Sequence, residues 1–305
     1  MSSLHLVEKD IQLDPHVSFY LDANGLKFLD IDNDFASARI AMQGAHVMSW
    51  QPKHEAEPVL WLSDHARYVH GRSIRGGVPI CWPWFGAHPT DSTLCPHGFA
   101  RVMPWDLIES STLENGATRL VLQIINTPVA QKQLSYPYAL TLTIDVGDTL
   151  KMALSTTNRG NQPFMIGEAM HTYFNVSDVE QIALSGLEGV EYSDKVLNYD
   201  RYTQQGMVRF NGEFDRVYVN TRDVCVIEDP GFNRIIRIAK SGSNSTVIWT
   251  PWEEKAHQLG DMGNDDSWRH MICIESANAL ENMVMIPPNQ THTLEVEYET
   301  QPLER

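Results

Sequence analysis

The most regular feature of the chain is an alternation of apolar and polar positions in short runs that end at turn residues. From Tyr138 to Val146, Leu140, Leu142, Ile144 and Val146 fall on one side, and Thr141, Thr143 and Asp145 on the other. A period of two is that of a strand with one buried face. Gly147-Asp148 reads as a two-residue turn, after which Leu150, Met152 and Leu154 resume the alternation, so a β-hairpin is expected here. Leu120, Leu122 and Ile124 predict a further strand, and Leu294, Val296 and Tyr298 predict the last one. Arg234 to Ala239, a Ser-Gly-Ser-Asn turn, and Thr246 to Thr250 predict a second hairpin. Helical periodicity is thin. Val129 to Leu134, behind Pro128, can form a short helix, and no segment keeps apolar residues at i, i+3, i+4 and i+7 over three turns. Many short strands and few helices predict an all-β sandwich or barrel. No internal repeat, low-complexity tract or Pro/Ser-rich linker divides the pattern, so residues 1–305 are expected to form a single domain.

Composition narrows the partners. The 305 residues are 42% hydrophobic and 20% charged, ordinary globular proportions with ample apolar mass for a core. The net charge of −16 makes nucleic acid and anionic membrane poor partners. A small anionic substrate stays compatible if Arg or Lys concentrate at one site. The opening segment brings in Glu8, Lys9 and Asp10 before any apolar run, so no signal peptide is expected, and no window approaches a membrane span. Cys81, Cys95, Cys225 and Cys273 are scattered without a CxxC pair, which favours free thiols and a cytoplasmic location.

Three segments do not read as scaffold. Arg72 to Arg101 is rich in glycine and aromatic residues, with Trp82, Trp84, Phe85 and His97-Gly98-Phe99 between Arg75 and Arg101. Aromatic rings suit the C–H faces of sugars and Arg suits carboxylate or phosphate, whereas the alternative is a packed loop with both Trp in the core. In Gly167 to Phe174, His171 stands among aromatics, as either a hydrogen-bonded structural residue or a catalyst. In Trp268 to Glu275, alternation places Met271, Cys273 and Glu275 on one strand face. Glu275 then occupies a core-side position, where a carboxylate needs a partner or a function. Twelve histidines raise metal chemistry, but HxH, HExxH and cysteine pairs at zinc spacing are missing, as are the phosphate-cradling GxxxxGK[ST], the GxGxxG and the GxSxG signatures.

Taken together and in order, IRGGVPICWPWFG, HGFAR, EAMHTYFNVSD, FDRVY, VIWTPW and MICIESANA resemble the hexose-6-phosphate mutarotases, the glucose-6-phosphate 1-epimerases of the galactose-mutarotase-like superfamily, and most closely their bacterial branch. The resemblance runs from Gly44-Ala45-His46 to Pro287-Pro288. It implies a large antiparallel β-sandwich, the supersandwich, with the site on its concave face. It implies interconversion of the anomers of an aldohexose 6-phosphate, without metal or organic cofactor. On the same basis His171 would be the general acid, Glu275 the general base and His97 a support on the ring-oxygen side. Asp215 would hold sugar hydroxyls, and Arg75 and Arg101 the phosphate. A monomer or weak homo-oligomer is expected. Two other readings are a mutarotase of free sugars, which would share the acid and base but not the arginines, and a non-catalytic carbohydrate-binding protein using Trp82 or Trp84.

Overall fold

The strand expected at residues 138–146 occupies Tyr138–Val146, with even-numbered side chains buried and odd-numbered ones half-buried. It pairs antiparallel with Leu150–Asn158, and Val146 faces Leu150. The turn is therefore three residues, Gly147 to Thr149, not the two expected. The reason is the phase of the apolar positions: a two-residue loop would pair Val146 with Thr149 and turn Leu150, Met152 and Leu154 to solvent. This computed structural model describes residues 11–304; Glu8, Lys9 and Asp10 lie outside them.

Two antiparallel eight-stranded sheets dominate. One runs in the order Ala183–Ser185, Cys225–Asp229, Arg234–Ser241, Thr291–Pro302, Leu150–Asn158, Tyr138–Val146, Thr118–Ile124, Trp105–Thr112. The other runs Asp200–Thr203, Glu191–Asp194, Phe214–Val219, Ser245–Thr250, Met271–Asn278, Glu168–Met170, Ile80–Cys81, with Tyr173–Asn175 also paired to Met271–Asn278. A four-stranded sheet, Val17–Leu21 to His46–Pro52, precedes them. The expected all-β sandwich is thus observed. Its core is one continuous buried cluster to which Leu120, Leu142, Ile236 and Val296 contribute from one large sheet, and Tyr218, Ile248, Ile272 and Ile274 from the other. Each such side chain contributes roughly 1.5–3 kcal/mol of transfer free energy. Polar bonds also bridge the layers: Tyr298 Oη lies 2.6 Å from Thr172 Oγ1, and Trp82 Nε1 donates to Thr156 Oγ1 at 3.0 Å.

The second expected hairpin does not form. Arg234–Ser241 and Ser245–Thr250 are both strands, but each belongs to a different sheet. The Gly-Ser-Asn between them is a corner where the chain changes layers. Gly242 holds φ +65°, and a Cβ there would meet the Thr293 carbonyl oxygen at 1.9 Å. Alternation reports which face of a strand is buried and carries no information about its partner. The expected short helix is Pro128–Gln133, capped by Thr127, whose hydroxyl accepts from the Ala130 amide at 3.2 Å. A second helix, Trp252–Leu259, spans eight residues, too few for the three-turn pattern sought.

Candidate active site

Register brings the first two candidates together. Glu168–Met170 and Tyr173–Asn175 lie along the same side of Met271–Asn278, with Met170 facing Ser276 and Tyr173 facing Cys273. The two residues between them continue this register, so His171 falls opposite Glu275 and Thr172 opposite Ile274. The Ile274 amide donates to the Thr172 carbonyl at 3.2 Å, and the His171 amide to the Pro79 carbonyl at 3.0 Å. Thr172 points inward to Tyr298, which leaves His171 on the opposite face. There His171 Nε2 lies 3.4 Å from Glu275 Oε1.

Glu275 does not face the space between the sheets. Ile272 and Ile274 do, while Glu275 shares its face with a small apolar floor of Cys81, Ala169, Val217, Val247 and Ala277. Both faces of this strand are buried, so alternation could not tell the core side from the site side. The neighbouring strands complete the face. Val247 faces Glu275, Trp249 faces Cys273, and Asp215 faces Trp249. The His171 ring stacks on Tyr173 with centroids 5.0 Å apart, and Trp249 meets both rings edge-on.

The loop between Arg75 and Arg101 supplies the remaining candidates, though not as a sugar platform of tryptophans. Trp82 is fully buried, and Trp84 is buried with its Nε1 donating to the Cys95 carbonyl at 3.1 Å. Large rings with one polar atom are well satisfied in this way, so the packed-loop alternative is the one observed. His97 sits in a left-handed conformation at φ +65°. Its amide donates to the Gly86 carbonyl at 2.7 Å, and its ring centroid is 5.7 Å from that of His171. Gly98 follows at φ +73°, where a Cβ would approach the Trp82 carbonyl oxygen to 2.0 Å. Replacing Gly98 by Ala is therefore expected to destabilise the fold by several kcal/mol and to displace His97. A Tm equal to that of the unmodified chain would contradict this close approach.

Arg75 and Arg101 differ in their partners. Arg75 donates from Nε to Asp261 Oδ1 at 3.0 Å and from Nη1 to the Tyr173 hydroxyl at 2.8 Å. Arg101, in the turn Ala100–Val102, donates from Nη2 to the Pro96 carbonyl at 2.8 Å. Asp215 is buried, and Lys195 Nζ donates to its Oδ2 at 2.8 Å. Sequence reasoning missed Lys195, Asp261, Tyr173 and Trp249. Asp261 and Lys195 belong to charged turns that read as solvated. Tyr173 and Trp249 lie within the quoted motifs, but only register shows that they flank His171.

Burial dominates the electrostatics. It pushes the His171 imidazolium well below its ordinary range, with His97, Arg101 and Arg75 adding to the effect. Burial also raises the Glu275 carboxyl well above its range; Asp215 adds to this, and Lys195 and Arg101 oppose it. Both shifts run toward the uncharged forms, a protonated carboxyl and a neutral imidazole. Burial, then Arg101, Lys195 and Arg75, press His97 down to about 3, so it stays neutral. Glu275 Oε2 and His171 Nδ1 are buried without a hydrogen-bond partner. Buried polar atoms in native proteins are mostly paired, so such exceptions mark places where a ligand can bond. Among the described residues, no three His, Cys, Asp or Glu side chains group closely enough to hold a metal ion.

Comparison with known proteins identifies the family. The aldose 1-epimerase family model matches residues 27–299. A relative from Escherichia coli (strain K12), named as a provisional glucose-6-phosphate 1-epimerase, is 35% identical over 268 residues, covering 88% of each chain. A crystal structure of a provisional mutarotase, YeaD, from Salmonella typhimurium superposes with a TM-score of 0.88 at 31% identity, covering 96% of each chain. A galactose mutarotase-like protein from Clostridium acetobutylicum shares the fold at a TM-score of 0.70 and 12% identity, over 94% of this chain and 98% of its own. The family match over residues 27–299, together with a relative 35% identical over 88% of each chain, places the chain in the aldose 1-epimerase family.

Proposed function

We propose that the chain interconverts the α and β anomers of an aldohexose 6-phosphate, D-glucose 6-phosphate foremost, by opening and reclosing the pyranose ring. The observation that carries this reading is the 3.4 Å contact between His171 and Glu275, two titratable groups with unpartnered atoms on a face that also holds Arg75, Arg101 and Lys195. The names of the relatives support the phosphorylated substrate.

Anomer exchange breaks the C1–O5 bond. A base takes the proton of the C1 hydroxyl, an acid protonates O5, and C1 becomes an aldehyde. Rotation about C1–C2 turns the other carbonyl face, and closure reverses both transfers. O1 and O5 are bonded to the same carbon, so the acid and base must stand close together, as facing residues on adjacent strands allow. Glu275 is the base and His171 the acid. The reactive form of the pair is a Glu275 carboxylate with a His171 imidazolium, one proton shared between two groups 3.4 Å apart. Burial makes the carboxylate, once formed, a strong base and the imidazolium a strong acid. His97 stays neutral beside the ring oxygen, and Asp215 accepts sugar hydroxyls. Arg101, whose Nη2 bonds the neutral Pro96 carbonyl, takes the phosphate together with Arg75.

The test is saturation transfer between the anomeric NMR signals of glucose 6-phosphate. The chain is expected to accelerate exchange far above the rate in buffer. The rate is expected to stay flat through neutral pH. It falls on the acid side only when a second proton reaches the lowered imidazole, and on the alkaline side only when the last proton leaves the raised carboxyl. Exchange at the buffer rate would reject the function. A rate that titrates near 6.5, as an exposed imidazole would, would reject the shared-proton pair.

A further inference from the structure

We propose that Lys195 is a positioning residue for anomer exchange, holding the Asp215 carboxylate in place for the sugar and balancing its charge beside Glu275. The inference rests on the function proposed above and extends it to a residue that no sequence motif marked.

The geometry is a two-point clasp. The Lys195 amide donates to the Asp215 carbonyl at 2.8 Å, while its Nζ donates to Asp215 Oδ2 at 2.8 Å. Backbone and side chain thus grip the same residue. The preceding pair repeats the motif with the signs exchanged: Arg216 Nε donates to Asp194 Oδ2 at 2.8 Å, and Asp194 faces Arg216 in register. Arg216 is further held over the Phe214 and Tyr192 rings. The base of the turn that carries Lys195 is anchored, since Asp194 Oδ1 also accepts from the Val196 amide at 3.0 Å. Lys195 is consequently presented from a fixed point, and its side chain remains about one-third exposed at the rim of the site.

Asp215 needs this partner. Its side chain is only 12% exposed, and a carboxylate at that depth is costly without a bonded cation. Without Lys195 the carboxylate would be held less firmly for the sugar. Asp215 also shares the sheet face of Glu275, two strands over and two residues along, since Asp215 faces Trp249, Trp249 faces Cys273 and Glu275 follows Cys273 by two. The charged and titratable groups around Glu275 are His171 opposite it, Asp215 two strands away, Lys195 from the turn after Glu191–Asp194, and Arg101 from the loop. Tyr173, Cys81 and Cys273 complete the surroundings, and burial keeps all three in their neutral forms. Asp215 is therefore the like charge acting on Glu275 among the described residues, and Lys195 is a cation bonded to it.

The experiment compares Lys195→Met, Lys195→Arg and Asp215→Asn with the unmodified full-length chain, following glucose 6-phosphate exchange across pH. Lys195→Met is expected to raise KM about tenfold, the value of one charge-assisted bond. It is also expected to move the alkaline limb of the rate profile to higher pH, because Asp215 then presses unopposed on Glu275. Lys195→Arg restores both, and Asp215→Asn moves the limb the other way. A folded Lys195→Met with unchanged KM or an unshifted limb overturns the inference, as does failure of Lys195→Arg to rescue. Should Lys195→Met not fold, Asp215→Asn decides: a limb that stays put or rises overturns the proposal. An unmodified chain that gave no acceleration would instead reject the function itself, a result distinct from all of these.

Discussion

Replacing Glu275 by Gln, or His171 by Ala, is expected to remove most of the acceleration of anomer exchange, each costing about 10²–10⁴-fold in kcat, the usual contribution of a positioned acid or base. The two losses are not expected to add. Each group is useful only when the other holds the complementary proton state, so the double variant should be little worse than either single one. Glu275→Gln is the sharper of the two tests. It keeps shape and puts a neutral group where burial already disfavours the charged carboxylate. What it removes is the ability to take a proton from the C1 hydroxyl. A folded Glu275→Gln chain with an undiminished rate in an anomer-specific coupled assay would end the proposal that these residues react. His171→Ala opens a cavity beside Tyr173 and Trp249, so its Tm should be measured alongside its rate.

The second large effect is expected at the arginines. Arg101→Ala should lower kcat/KM for glucose 6-phosphate by roughly 10–150-fold, corresponding to about 1.5–3 kcal/mol for a charge-assisted contact, and leave any rate on free glucose unchanged. Arg75→Ala should also weaken the phosphorylated substrate selectively, but by less. Arg75 already spends two of its donors on Asp261 and Tyr173, so a phosphate arriving there competes with a resident carboxylate. Equal loss on glucose and glucose 6-phosphate in both variants would remove the arginines from phosphate recognition and favour a mutarotase of free sugars. The context strengthens the expectation. In a chain of net charge −16, an anion is repelled at long range, and cations gathered on one face are what makes its capture feasible.

Much of this molecule was legible before its coordinates. The alternation at Tyr138–Val146 gave the strand to the residue, and the closing strand through Leu294, Val296 and Tyr298 was equally plain. These are strands with one buried and one half-buried face, the case in which period two is informative. It failed on Met271–Asn278, buried on both faces, where Glu275 looked like an intruder in the core rather than a group on the site. It was silent on pairing, which is why Arg234–Ser241 and Ser245–Thr250 read as a hairpin when they lie in different layers. The site was legible through motif resemblance, which nominated His171, Glu275, His97, Asp215 and both arginines. Their counter-charges were not legible. Lys195 is 20 residues from Asp215, and Asp261 is 186 from Arg75, and nothing local distinguishes such charges from those that merely keep a surface wet. The aromatic richness around Trp82 and Trp84 left two readings open, because ring size alone fits a core as well as a sugar.

The shared ladder that sets His171 opposite Glu275 has an evolutionary corollary. Their separation is fixed by backbone pairing within a single sheet, whereas Arg75, Arg101 and Lys195 arrive on connecting segments. Reactive spacing and ligand choice are thereby written into different parts of the chain. Insertions or exchanges in the connecting segments can retune which sugar is held while the proton-handling pair stays in step, whereas one residue gained or lost between Met170 and Tyr173 would throw that pair out of phase.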